Sequence, residues 1–101
     1  MYIYNVTIKV SESIKAEWLY WLKEEHIPDV MGTGCFESSH VFRLREVDDA
    51  EGPTYIVQYS CTNKESYDQY INSFAQEMRN RSYEKWGDLF IAFRSLLEQI
   101  D

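Results

Sequence analysis

Acid–base chemistry in this chain would depend first on His26, one of only two histidines in 101 residues. It stands in the segment WLYWLKEEHIPDVMGTGCF, directly before Ile27-Pro28. An imidazole there could act as a general acid or base near neutral pH. The alternative is structural, because a histidine in the last turn of a helix favours the negative end of the helix dipole and can bond free carbonyls.

We favour the structural interpretation of His26. Ile27 precedes a proline and is biased away from helical dihedrals, which predicts that a helix bends or stops after His26. Its neighbours predict a wet setting, without the desolvation that usually tunes a catalytic base; they are Glu24, Glu25 and Asp29. We therefore expect His26 to end a helix and to be inessential to binding, while it stays the one candidate catalytic residue.

Four neutral polar side chains form a candidate ligand lining on two predicted strands: Asn5, Thr7, Gln58 and Ser60. If the alternating apolar residues of both strands face the helices, these four face the opposite side of the sheet. Neutral hydrogen-bonding groups are typical of a ligand cavity. They are equally typical of a satisfied polar network between two subunits.

Arg94 is the fifth candidate ligand-binding residue, because it lies in an otherwise apolar strand. A buried guanidinium without a partner is very costly, so it must be paired. It could bind a substrate carboxylate bidentately. Alternatively it pairs with a Glu or Asp of its own chain or of a second subunit.

None of the common sequence motifs of catalytic, phosphate-binding or metal-binding sites is present. The sequence contains no Ser-His-Asp pattern, phosphate loop, EF-hand or HExxH motif. Cys35 and Cys61 have no nearby histidine that would complete a zinc site, and neither histidine lies in a haem motif. We expect no metal and no cofactor, and we expect both cysteines to be reduced and unbridged.

The charge and the hydropathy of the chain disfavour two classes of binding partner, nucleic acids and membranes. The net charge of −7 disfavours binding to nucleic acid or to acidic membrane surfaces. No apolar run approaches the roughly 18 residues of a membrane span, and the start MYIYNVTIKV does not resemble a signal peptide. We expect a cytoplasmic protein.

The first half of the chain predicts two strands around a helix. Residues 2–10 alternate like a half-buried strand, and residues 35–46 carry β-favouring types. Between them, a helix begins after Ser11-Glu12-Ser13 and runs to about His26, with its apolar stripe at Ile14, Trp18, Trp21 and Leu22. A separate short helix is predicted from Pro28 to Met31.

The second half repeats the strand, helix, strand pattern. A strand is predicted over residues 54–61, and Thr62 with Glu65 forms a capping box that begins a second helix. Its stripe runs through Tyr67, Tyr70, Ile71, Phe74 and Met78, and it ends near residues 80–82. After a turn at Trp86-Gly87-Asp88, a final strand covers residues 89–97, although its C-terminal part would also suit a helix.

The order strand, helix, strand, strand, helix, strand is typical of an α+β, ferredoxin-like β-α-β-β-α-β sandwich. We predict that residues 1–101 form a single domain with a four-stranded antiparallel sheet and both helices on one face. The other face would then be a large exposed patch on a monomer. The expected solution is a homodimer packed sheet to sheet, in the form of a dimeric α/β barrel.

Four segments, in order, resemble a small bacterial family known only as a domain of unknown function, number 4286, of the dimeric α/β-barrel superfamily: YNVTIKV, EWLYWLKEEHIPDVMGTGCF, YIVQYS and WGDLFIAFRSLL. The resemblance covers essentially the whole chain. Its most specific part is W-x-x-W-x-x-x-x-H-I-P with the following Gly-x-Gly. Ser95 departs mildly from the Phe-Arg-Thr that the family carries near its end. The family offers no established catalytic residue to carry over.

The resemblance leaves the function open, because the superfamily includes cofactor-independent monooxygenases, isomerases, haem-handling enzymes and plain ligand binders. Our first hypothesis is a homodimer that binds a small apolar or aromatic metabolite in the barrel. The second is a cofactor-independent monooxygenase or isomerase, and the third is a structural or regulatory interaction module without a ligand. A binder should have a cavity lined by Asn5, Gln58 and Arg94, and an enzyme should also place His26 there.

Overall fold

The computed structural model describes all residues, Met1–Asp101, and contains one four-stranded antiparallel sheet. The strands lie in the order β2-β3-β1-β4, so β1 and β3 are central. This is the predicted α+β, ferredoxin-like arrangement, with the helices packed on one face. The strands are β1 Tyr2–Val10, β2 Ser38–Arg43, β3 Thr54–Cys61 and β4 Phe90–Glu98.

The helical segments form two units, one between β1 and β2 and one between β3 and β4. The four α-helices are α1 Lys15–Trp21, α2 Ile27–Met31, α3 Lys64–Ser73 and α4 Ala75–Trp86. A 3₁₀ turn, Glu12–Ile14, leads into α1, and a π-helical turn, Leu22–His26, joins α1 to α2.

The core lies between the sheet and the helices. Tyr4 and Ile8 of β1 are buried there, whereas Asn5 and Thr7 point to the other face, as strand alternation predicts. The predicted stripe of the first helix is confirmed at Trp18, Trp21 and Leu22, which are all buried. Aromatic rings interlock across the layers, for example Trp18 against Tyr55 at a centroid distance of 5.6 Å.

The prediction that the first helix ends at His26 is wrong. Backbone dihedrals stay helical through His26 and Ile27, and α2 continues to Met31. The reason is the π-helical turn, in which the Ile27 N–H bonds the Leu22 carbonyl five residues back. This wider turn shifts the hydrogen-bond register, so Pro28 falls in the first turn of α2, where its missing N–H is not needed.

The second helical unit also differs from the prediction. Its N-cap is Asn63 rather than Thr62, because the Asn63 side chain accepts a hydrogen bond from the Ser66 N–H at 2.9 Å. Phe74, with φ −128° and ψ −30°, interrupts the helix, so the predicted continuous stripe is divided between α3 and α4. The unit then runs on to Trp86, beyond the predicted end at residues 80–82, and stops at Gly87, whose φ is +59°.

The strands agree more closely with their predictions. β1 and β3 have the predicted bounds, whereas β2 is shorter than residues 35–46. Cys35 and Phe36 lie buried in the connection before it, and Glu46 beyond its end has a φ of +61°, which is outside the strand region. β4 stays a strand to Glu98, so its C-terminal part is not a helix. Cys35 and Cys61 are both free. None of the helices combines the length and the apolar character that crossing a membrane would need.

Candidate ligand-binding site

A crevice between the inner face of the sheet and the helices holds the candidate site. It consists of two adjoining voids of about 40 Å³ each, and we call the pair the inner crevice. Each void has room for a few water molecules. Both voids are lined by the same four residues, which therefore lie at the centre of the crevice: Val6, His26, Ser82 and Arg94.

One void, the polar void, carries most of the hydrogen-bonding groups. Besides the central residues it is lined by Tyr4, Tyr70, Met78 and Arg79. An Nη2 of Arg79 donates to the Tyr4 hydroxyl at 3.4 Å, while its Nε is buried without a partner. Burial raises the pKa of the Tyr70 phenol well above its usual value, so Tyr70 is a protonated hydrogen-bond donor at neutral pH.

The other void, the apolar void, is mainly aromatic and aliphatic. Its further lining residues are Ile8, Trp18, Trp21, Leu22, Phe90 and Ala92. Most of these side chains are fully buried, so they form a fixed wall. An apolar wall beside a few convergent polar groups is the usual composition of a small-molecule site.

His26 enters the crevice from the π-helical turn. Its ring stacks on Trp21 with a centroid distance of 4.8 Å and an interplanar angle of 24°. The pKa of His26 is lowered from its usual 6.5 to about 4. Burial is the main cause, Asp29 opposes the shift, and Arg94 and Arg81 add to it. The expected wet setting is therefore wrong, and His26 is neutral at pH 7.

The side chain of His26 makes no capping hydrogen bond, so the interpretation of His26 as a cap of the helix end is also wrong. Its position in a π-helical turn fits a different pattern, because such turns occur frequently at functional sites. A neutral imidazole inside a crevice can accept a proton or a hydrogen bond from a bound molecule.

Arg94 lies on the same side of the sheet as the helices. It pairs with Val6 across β1 and β4, and both side chains line the inner crevice. Arg94 is half-buried and forms neither a hydrogen bond nor an ion pair within the chain. Of the two pairings predicted for Arg94, the one with a Glu or Asp of its own chain therefore does not occur, and the one with a second subunit stays a prediction.

The other four candidate ligand-binding residues lie on the opposite face of the sheet. Gln58 donates to the Asn5 side-chain oxygen at 3.1 Å, Asn5 contacts Thr7 at 3.4 Å, and the Ser60 hydroxyl bonds that of Ser38. The structure thus does not bring Asn5 and Gln58 together with Arg94, and one cavity lined by all three is excluded within the subunit. These side chains satisfy one another, as a polar network does.

Arg79, Tyr70 and Ser82 belong to the crevice but were not among the candidate residues from sequence. Tyr70 was assigned to the core stripe of the helix, where it is indeed buried. The sequence carried a signal for the other two, because Arg79 and Ser82 are spaced i, i+3 and follow the stripe residue Met78. An arginine next to the apolar stripe indicates that the inner face of the helix carries a polar side chain.

Larger depressions exist elsewhere, but they are shallow and open to solvent. One of about 440 Å³ lies between α1 and α4 beside Tyr20 and Lys85, and one of about 380 Å³ lies on the open sheet face beside His40 and Phe42. In the first, the buried Trp86 Nε1 has no hydrogen-bond partner, but the charged residues that line it are all exposed: Glu17, Glu25 and Lys85. In the second, no buried polar side-chain atom lacks a partner. No group of three His, Cys, Asp or Glu side chains is close enough to hold a metal ion.

Comparison with known families and proteins gives one sequence match. A family model described as a domain of unknown function, DUF4286, matches residues 1–100. A search of curated protein sequences found no match.

Solved structures share the fold at low sequence identity. A dimeric ferredoxin-like protein from an uncultured marine organism is 8% identical, with a TM-score of 0.74 over 99% of this chain and 95% of the other. SnoaB, a cofactor-independent oxygenase from Streptomyces nogalater, is 11% identical, with a TM-score of 0.70 over 99% and 94%. An ethyl tert-butyl ether D (EthD) family protein from Bacillus halodurans is 13% identical, with a TM-score of 0.69 over 99% and 100%. At such identities the likeness establishes the fold and leaves the function open.

Proposed function

The chain belongs to the family described as domain of unknown function DUF4286, and we propose that it is a homodimeric α/β-barrel protein that binds a small apolar or aromatic metabolite in its inner crevice. One observation carries the proposal. The crevice joins an aromatic wall to polar side chains, and its central arginine, Arg94, has no partner in the chain. A protein interior is normally packed without voids and with its charges paired, so this combination supports a ligand-binding role for the crevice.

The homodimer is supported by the open face of the sheet. Ile91 and Phe93 of β4 are 66% and 75% exposed there, and Phe42 of β2 is 49% exposed. Apolar side chains clustered on one sheet face mark an interaction surface. A fold neighbour is itself described as a dimeric ferredoxin-like protein. In a sheet-to-sheet dimer the polar network of Asn5 and Gln58 would lie between the subunits.

A ligand screen with a crevice-filling variant tests the binding proposal. Trp18 and Trp21 line the apolar void, so a bound compound should change the tryptophan fluorescence. Ala92→Phe should fill that void and weaken binding at least about tenfold, which corresponds to about 1.4 kcal/mol. Ala50→Phe is the matched control, because Ala50 is exposed in the hairpin loop.

Two results would count against the binding proposal. A broad screen in which nothing binds would favour the third hypothesis, an interaction module without a ligand. A compound that binds Ala92→Phe as tightly as the wild type would place the site elsewhere.

A cofactor-independent oxygenase or isomerase is the second candidate function, and His26 favours it. A neutral imidazole beside Arg94 could remove a proton from a carbon next to a carbonyl group, and the guanidinium would stabilise the resulting enolate oxygen. The fold likeness to SnoaB supports this candidate.

The substitution His26→Gln separates an enzyme from a binder. It keeps hydrogen-bonding capacity and removes the base, so an enzyme should lose at least about a hundredfold in turnover and little in affinity. A plain binder should keep its affinity and has no turnover to lose. Circular dichroism of the variant must first establish that the fold is intact.

A further inference from the structure

Two guanidinium groups face the polar void without an acidic partner. Arg94 forms no hydrogen bond or ion pair, and Arg79 has only its 3.4 Å contact to the Tyr4 hydroxyl. The chain does not lack acids for such pairing, since it has 17 Asp and Glu residues against 10 Lys and Arg. On the surface, Arg43 pairs with Asp49 at 2.6 Å and Arg81 pairs with Glu77 at 2.7 Å.

The two arginines of the polar void are less exposed than the paired surface arginines Arg43 and Arg81. Arg79 and Arg94 are half-buried, and the Nε of Arg79 is buried with no acceptor at all. A buried donor without an acceptor is destabilising, and more so when it is charged. No carboxylate lines either void to offset this cost. The void is thus an electropositive cavity inside an acidic protein, which is what a bound anion requires.

The neighbouring groups add to the selection for a negative charge. Tyr70 supplies a hydroxyl group beside the two arginines, and the neutral His26 adds a ring N–H or an acceptor. Ser82 also lines the void, but its hydroxyl donates to the Met78 carbonyl at 3.2 Å. The apolar void begins at the same central residues and supplies a wall that includes Trp18 and Trp21. A molecule that spans both voids must be anionic at one end and apolar at the other.

We propose that the inner crevice binds a small organic carboxylate, with its carboxylate between Arg79 and Arg94 and its apolar or aromatic body against Trp18 and Trp21. This rests on the proposed binding function and names its ligand class. Guanidinium groups match a carboxylate geometrically, with parallel N–H···O bonds. Because each void is only about 40 Å³, we expect the half-buried Arg94 side chain to shift when the ligand enters.

The test compares acids with their uncharged amides. Titration calorimetry measures binding of benzoate and 1-naphthoate, and of benzamide and 1-naphthamide, which have the same shape without the charge. We expect at least one of the two acids to bind at least tenfold more tightly than its amide. The Nε–H resonances of Arg79 and Arg94 should shift in NMR spectra when that acid is added.

Variants test whether the two arginines cause the preference for the acid over the amide. Arg79→Gln and Arg94→Gln should each reduce the preference for acid over amide to within about threefold. Arg43→Gln removes the same charge at an exposed position outside the crevice and should leave the preference unchanged. Phenyl phosphate, added as a third probe, should bind more weakly than benzoate.

Each contrary result has its own meaning. Equal binding of acid and amide by the wild type overturns the carboxylate inference and leaves the binding function standing. Tighter binding of phenyl phosphate replaces the carboxylate by a phosphate. If none of the probes binds and a broad screen also fails, the proposed function falls together with the inference. The wild-type comparison decides the question even if a variant does not fold.

Discussion

At the scale of single residues, His26 is the side chain whose environment differs most from its sequence neighbourhood. Charged residues flank it in the sequence, yet its ring stacks on Trp21 and faces the inner crevice. Burial outweighs the attraction of Asp29 and lowers the pKa of His26 to about 4. The folded protein therefore keeps this imidazole neutral over a pH range in which the unfolded chain protonates it.

We expect His26 to make the fold sensitive to acid. The unfolded residue binds a proton near its ordinary pKa of 6.5 and the folded residue only near about 4, so between these values the unfolded state holds more protons. Stability contributed by the neutral histidine is complete above pH 6.5 and is lost as the pH falls towards 4. The loss should reach about 2 kcal/mol near pH 4.5.

Urea unfolding of the wild type and of His26→Gln at about pH 7 and about pH 4.5 measures this loss, because the carboxylates that titrate in the same range are common to both proteins. The variant should lose less stability than the wild type between the two pH values. His40→Gln, at an exposed position of β2, controls for the removal of any imidazole. Parallel pH profiles for the wild type and His26→Gln would contradict the expectation.

Gly52 is a second residue whose surroundings matter, because the neighbouring backbone leaves no room for a side chain. A Cβ there would lie 1.7 Å from the Val10 carbonyl oxygen, and its φ is +142°. We expect Gly52→Ala to destabilise the protein by at least about 3 kcal/mol, because backbone atoms must move and the dihedral is strained. Gly34→Ala provides the control, since φ is +78° but no atom lies within 4 Å of its Cβ. It should cost only about 1 kcal/mol in thermal or denaturant unfolding. Similar losses for both variants would mean that the close approach at Gly52 is relieved without cost.

At the scale of elements, the helices are less regular than their sequences suggest. The first unit passes through Pro28 by means of a π-helical turn, and the second is interrupted at Phe74. Both irregularities adapt the helices to the sheet. The π-helical turn holds Leu22 at 1% exposure while it aims His26 at the crevice, and the interruption leaves Phe74 only half-buried.

The loss of unfolding free energy on truncation to alanine should depend on how deeply each side chain is buried. Leu22→Ala removes a fully buried side chain and should cost about 2–5 kcal/mol. Phe74→Ala, which a continuous apolar stripe would place at about 3–5 kcal/mol, should cost less, because a half-buried ring loses fewer contacts. Denaturant unfolding of both variants measures the difference. A larger loss for Phe74→Ala would show that the junction between α3 and α4 is more critical to the core than its exposure indicates.

At the scale of the whole molecule, the sheet has two unlike faces. The inner face carries the core and the crevice, and the outer face exposes Phe93 and Ile91 around a self-satisfied polar centre. A single subunit would leave these apolar side chains in water. Burial of each should contribute about 1.5–3 kcal/mol, which favours pairing of two such faces.

We expect the protein to be a dimer in dilute solution and Phe93→Glu to make it a monomer. Light scattering at micromolar concentration should give about twice the chain mass of 12.1 kDa for the wild type and the single mass for the variant. Tyr20→Glu is the matched control, because Tyr20 is also exposed, at 71%, but lies on the helical side. It should remain a dimer. A monomeric wild type, or a dimeric Phe93→Glu, would count against the sheet-to-sheet assembly.

The sequence alone determined the strands β1 and β3, the order of elements and the buried stripe of the first helix, because local periodicity fixes which side chains share a face. It also singled out His26 and Arg94 as candidate site residues, although it placed His26 in a wet setting at a helix end. Tertiary structure decided how these residues are used. Arg94 joins the crevice because its register opposite Val6 sets its face, and strand register depends on long-range pairing. His26 joins it because a π-helical turn beside the buried Trp21 and Leu22 replaces the predicted helix end, and local propensity does not predict such a turn.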